Sequence, residues 1–112
     1  MANSIKKQIA LNAIVNSNKA VEMNANELME LLNNYLNIVW SWGAEHFTKH
    51  AKFLMFKVSG KLHKGYVVIT LNGKDLFDIT LYKSTWAVKS VTNDIYLDML
   101  VETLDLLIET QN

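Results

Sequence analysis

Three histidines and a band of lysines have the widest chemical reach of any residue types in this 112-residue chain. His46 and His50 stand four apart beside Glu45, so on a helix both imidazoles would face one way and could share a metal with His63 or a carboxylate. A zincin helix carries glutamate directly after its first histidine; here that place holds Phe47, and Gly43 just upstream weakens the helix itself. We therefore expect no metal or cofactor, and keep a metal-dependent protein using His46 and His50 as an alternative.

A second chemistry is phosphate contact. Lys57, Lys61, His63 and Lys64 cluster around a turn with Tyr66 beside them, and lysines on a β-ribbon next to stacking aromatics can hold single-stranded nucleic acid. The plainer explanation is that lysines solubilise turns and protect strand edges. A third is an acidic stripe, Asp94, Asp98, Glu102, Asp105 and Glu109, whose steps of four, four, three and four set all five on one face of a helix. It could receive a basic partner surface, or be the solvated back of an amphipathic helix. Met29, Leu36 and Trp40 widen the apolar sector of an upstream helix beyond a core stripe and make a candidate contact surface, while Trp42 continues the stripe as a packing residue. Catalytic patterns are thin. The glycines form neither a phosphate loop nor a dinucleotide fingerprint, no serine sits in a nucleophile elbow, and Asp75 and Asp78 fall on opposite faces of a strand.

Composition bounds these options. The eleven cations, all lysine, balance eleven acids, which argues against a strongly basic nucleic-acid binder, although eight of the lysines lie between Phe47 and Lys89 and the stretch from Thr92 onward holds five carboxylates and no cation. With no cysteine, disulfide frameworks and thiol chemistry are excluded. Gln8, Asn12 and Asn16 interrupt any signal-peptide core, and no apolar run has the length of a membrane span, so we expect a cytoplasmic protein without membrane contact. Arginine and proline are both absent and asparagine is abundant, as in an AT-rich coding sequence. The 50% apolar content leaves room for a surface that a partner or a second copy covers.

The elements that must position these residues follow from periodicity. Ser4 opens a helix over about 4–16, and Asn24 with Glu27 resembles a capping box for a helix over about 25–42, ended by Gly43. The period then changes to two, predicting strands at about 53–59, 65–72, 75–82 and 85–91. Asn72-Gly73 marks a hairpin whose faces match only through a bulged or three-residue connection, aligning Val67 with Ile79 and Ile69 with Phe77. A two-residue loop at Lys83-Ser84 would set Leu81 across from Trp86 and Ile79 across from Val88. Thr92 or Asn93 caps a last helix over about 93–110. Because helices and strands are not interleaved, the fold class is α+β: N-terminal helices, a four-stranded antiparallel meander and a C-terminal amphipathic helix packed on one face of the sheet, all within one domain over 1–112.

The segments Trp40-Ser41-Trp42-Gly43, Phe56-Lys57-Val58-Ser59-Gly60, Lys64-Gly65-Tyr66, Asp75-Leu76-Phe77-Asp78-Ile79 and Asp94-Ile95-Tyr96 resemble small uncharacterised proteins of gut Bacteroidales phages and mobile elements. The resemblance covers about the last two-thirds of the chain and implies a mobile-element origin, with no site residues to carry over. The expectation is a non-enzymatic interaction protein that binds another protein or a second copy of itself. Acting on a host protein through the acidic helix would be a special case, and nucleic-acid binding through the lysine-rich hairpin is the rival.

Overall fold

The structure, a computed structural model, describes residues 2–109. The chain begins with α1 (Ala2–Val15), then α2 (Ala25–Asn33) and α3 (Leu36–Ser41). Five strands follow, β1 (Glu45–Lys49), β2 (Leu54–Ser59), β3 (Lys64–Leu71), β4 (Phe77–Lys83) and β5 (Val88–Ile95), before a 3₁₀ turn at Leu97–Met99 and α4 (Leu100–Ile108). Asn24 caps α2 as its type and position predict, its Oδ1 accepting from the N–H groups of Asn26 and Glu27 at 3.0 and 3.3 Å. The single helix expected over 25–42 is in fact two, broken at Asn34 and Tyr35. Gly43, with φ +63°, ends α3 in the left-handed conformation that glycine adopts without a Cβ clash.

The sheet is an antiparallel meander in the order β1-β2-β3-β4-β5, with one strand more than the alternating pattern predicts. The extra strand, β1, reads Glu-His-Phe-Thr-Lys, and only Phe47 in it is partly buried, so it carries no two-residue alternation of apolar side chains. Asn72-Gly73 does start a three-residue loop, closed by the Asn72 N–H to the Leu76 carbonyl at 2.8 Å, with Asp75 at φ +63°. Its register is two residues away from the expected one: Ile69 faces Ile79 and Val67 faces Leu81, which keeps the apolar faces aligned. The next hairpin repeats the device. Lys83 N–H reaches the Ala87 carbonyl at 2.8 Å across Ser84-Thr85-Trp86, and Trp86 takes the left-handed position at φ +68°. The fourth predicted strand therefore starts at Val88 instead of residue 85 and runs through Thr92 and Asn93, so that Thr92 faces Ile79 of β4 and neither residue caps a helix. Leu81 consequently faces Ser90, and Ile79 faces Thr92.

Alternation along the strands sends side chains to two faces, and both are covered. Leu54, Phe56, Val58, Val67, Ile69, Ile79 and Leu81 pack with Leu28, Leu32, Val39 and Trp42 of the α2–α3 region and with Leu100, Val101, Leu104 and Ile108 of α4. On the reverse face Phe53, Met55, Val68, Tyr82 and Trp86 form a smaller cluster beneath Ala10, Leu11, Ile14 and Val15 of α1. The C-terminal helix thus lies on one face as expected, while the first helix lies on the other. Residue 110, where the last helix was expected to close, lies outside the described residues.

The β2–β3 turn ties down the end of α4. The Leu62 and His63 N–H groups donate to the Ile108 carbonyl at 2.8 and 3.3 Å, and the Lys61 N–H donates to Glu109 Oε2 at 3.0 Å. These amides do what a basic last turn does elsewhere, since α4 has no cation there. Gly60 makes the approach possible, because a Cβ on it would collide with the Ile108 carbonyl.

Candidate binding cleft

The histidines do not converge. His46 and His50 lie on and just after β1, where extended backbone replaces the helical turn that would have aligned them. His46 Nε2 stands 3.8 Å from Glu45 Oε1 with both side chains exposed, and His50 stacks on Phe53 at 4.6 Å while its Nδ1 accepts from the Lys52 N–H at 3.0 Å. Among the described residues, no group of three His, Asp or Glu side chains could hold a metal ion.

In the lysine-rich hairpin His63 is only 2% exposed, so it presents no stacking surface. Its Nε2 lies 3.2 Å from the Tyr66 carbonyl and its Nδ1 lies 3.4 Å from Lys89 Nζ. Burial pushes its pKa down from 6.5, the Tyr66 carbonyl opposes that and the Lys89 cation adds to it. The two contacts suit a neutral ring with Nε2–H donating to Tyr66 and Nδ1 accepting from Lys89. Tyr66 stacks on Trp86 at 4.2 Å and Lys57 is half-buried, which leaves Lys61 and Lys64 as the exposed cations of that group.

The acidic residues do not share one helical face. Asp94 lies on β5 with φ +60°, where its carboxylate accepts from Asn72 Nδ2 at 2.8 Å and pairs with Lys74 Nζ at 3.4 Å. Asp98 lies in the 3₁₀ turn. Asp105 accepts from Trp42 Nε1 at 2.9 Å, and Glu109 holds the β2–β3 turn, so on α4 itself Glu102 is the exposed acid. Of the apolar candidates, Trp40 stands 67% exposed and Leu36 40%, while Met29 packs against the larger core.

What the structure does assemble is a cleft of about 580 Å³ between α1 and the β3–β5 part of the reverse face. α1 crosses above Met55, Val68, Tyr82 and Trp86 without reaching β5, so Ile9 on the helix and Val88 and Val91 on the strand remain exposed on either side of the gap. Its walls are Ile9, Ala10, Ala13 and Ile14 above and Thr70, Thr80, Tyr82, Trp86 and Val88 below. Trp86 is held in place by Tyr66 and by Tyr82, whose ring lies 5.1 Å away. Burial raises the Tyr82 pKa above 10.0, so its phenol keeps its proton at neutral pH. At one end the cleft turns polar. Lys19, Asp78 and Asn93 line both it and an adjoining depression edged by Asn72, Lys74 and Asp94. Asp78 Oδ1 is fixed there by Asn72 Nδ2 at 3.1 Å and by the Asp94 N–H at 3.0 Å.

Sequence reasoning missed this site. Tyr82 and Trp86 could be marked as aromatics on a sheet face, but their role depends on where α1 lands, and the apolar residues of α1 form no strong stripe to announce it. Compared with known proteins, the chain matches no family model, no curated protein and no solved structure.

Proposed function

We propose that this chain is a non-catalytic binding domain that takes an amphipathic ligand in the cleft beneath α1. The observation that carries this is the unequal covering of the two sheet faces: one is sealed by three helices, the other keeps a concave gap. A gap of that volume, more apolar than polar, with Lys19, Asp78 and Asn93 together at one end and Lys6 of α1 also lining it, has the form of a small-molecule site. The apolar part of the ligand lies against Ile9, Ile14, Trp86 and Val88, and its polar end points to Lys19, Asp78 and Asn93.

The test uses 8-anilinonaphthalene-1-sulfonate as probe, titrated into protein whose near-ultraviolet circular dichroism confirms native packing. Binding should quench Trp86 in a Trp40→Phe background, and Thr80→Phe, which fills the floor, should weaken it about tenfold, roughly 1.4 kcal/mol. Equal binding by both proteins, or none by either, removes the proposal. The exposure of Trp40 favours a second reading, a protein-binding face built on α3. It predicts that Trp40→Ser abolishes capture of a protein partner and leaves the probe titration unchanged.

A further inference from the structure

We propose that the groove between the α2–α3 junction and the 3₁₀ turn docks a lysine- or arginine-rich amphipathic helix of another protein. The groove encloses about 550 Å³ and is lined by Leu31, Tyr35, Tyr96, Leu97, Asp98 and Val101. Val101 belongs to the larger core and Leu31 packs against it, so the groove lies across the sheet from the cleft and does not depend on what fills that cleft. Tyr35, Tyr96 and Leu97 stand 46%, 64% and 52% exposed around it. Aromatic and aliphatic side chains left in solvent beside a groove are what an amphipathic helix uses, its own apolar residues at i, i+3, i+4 and i+7 filling the trough. The two phenol rings also offer faces over which a lysine or arginine cation is held.

Charge decides which helix. α2, α3, the 3₁₀ turn and α4 together carry Glu27, Glu30, Asp98, Glu102 and Asp105 and not one cation. Glu27 and Glu30 stand three apart on one side of the groove, Asp98 and Glu102 four apart on the other, spacings at which like charges repel. The fold leaves that repulsion standing. Among the described residues, no lysine pairs with any of these four. Lys74 pairs with Asp94, Lys89 and Lys52 donate to the Leu62 and Val15 carbonyls, and Lys49, which reaches α2, gives its Nζ to Asn26 Oδ1 at 2.9 Å. A cationic helix seated in the groove supplies the missing countercharge, and the unrelieved negative field steers it there. An acidic or neutral helix gains only the apolar contact.

The probe is a synthetic helical peptide of leucine and lysine, its leucines at i, i+3, i+4 and i+7, carrying a fluorophore whose anisotropy reports binding. It should bind the full chain, with affinity falling about tenfold from low to physiological salt. A peptide with glutamate for every lysine should not bind, and one with serine for every leucine should bind at least about tenfold more weakly. Leu97→Ser, and the pair Asp98→Lys with Glu102→Lys, all at exposed positions, should each weaken the leucine–lysine peptide about tenfold with circular dichroism unchanged. Thr80→Phe, which fills the cleft, should leave it unaltered. Failure to bind at low salt overturns the proposal. So does equal binding of the glutamate or serine peptide, or equal binding by the variants, which would put the site elsewhere. Salt-sensitive doubling of the chain's own mass by light scattering, removed by Asp98→Lys with Glu102→Lys, overturns it too, by making a second copy the occupant.

Discussion

Trp86 occupies a backbone conformation that nearly every other residue of its size avoids. At φ +68° its Cβ crowds the following carbonyl, a strain of about 1–2 kcal/mol that glycine would not carry. The ring contacts with Tyr66 and Tyr82 and the burial of the indole outweigh it. The usual order of small substitutions should therefore invert. Trp86→Ala, which loses the ring and keeps the strain, should cost about 3 kcal/mol or more, and Trp86→Gly should be the more stable of the two by about 1 kcal/mol, as read from urea unfolding midpoints. His63 supplies a second residue-scale expectation. Its pKa is lowered in the folded state and stands near 6.5 when unfolded, so the unfolded chain takes up the proton first. Its contribution to stability is complete above about pH 6.5 and is lost as pH falls below it. His63→Gln, which can donate to the Tyr66 carbonyl and accept from Lys89, should flatten the stability profile between about pH 7 and pH 5.5, ahead of the carboxylates. A profile identical to that of the parent chain would show that the ring titrates as in water.

At the scale of elements, the placement of Asp105 separates packing from surface charge. Its carboxylate receives the Trp42 Nε1–H, and the Trp42 side chain is fully buried among the larger core. Asp105→Ala should strand that donor and cost about 2 kcal/mol, whereas Glu102→Ala, one turn earlier and exposed, should stay within about 0.5 kcal/mol in thermal or urea unfolding. The same residue shows where periodicity can be read and where it cannot. The stripe Leu100, Leu104 and Ile108 marks α4, and apolar residues at every second place mark β2, β3 and β4 as strands, although burial along them is close to continuous because both sheet faces are covered. Thr92 and Asn93 have good capping side chains and so point to a helix start, yet both lie in β5, where Thr92 faces Ile79, and α4 begins only at Leu100. The break between α2 and α3 is likewise invisible, as no glycine or proline stands at Asn34-Tyr35. Where a long-range contact overrides a local preference, the local signal points the wrong way.

The molecule as a whole has two apolar clusters of unequal size on either side of one sheet, and this asymmetry makes the cleft. The cleft was not legible beforehand because its walls are distant in sequence, Ile9 and Ile14 on α1 against Tyr82, Trp86 and Val88, and nothing local fixes the helix over one half of a face. The larger cluster engages α2, α3 and α4, whereas α1 is held by a handful of contacts and by Lys52 Nζ on the Val15 carbonyl at 2.9 Å. A helix attached so lightly should open on its own, without global unfolding. Hydrogen exchange should accordingly find the amides of α1 less protected than those of β3. Ile14→Asp, which puts a charge against the smaller cluster, should speed exchange throughout α1 and leave α4 unchanged. Leu104→Ala, in the larger cluster, should lower protection by about 3 kcal/mol in β3 and α4, which exchange through global unfolding, and leave α1 little changed. If Ile14→Asp instead loosened α4 as much as α1, the two layers would be one cooperative unit, and the cleft could not admit a ligand by the movement of α1 alone.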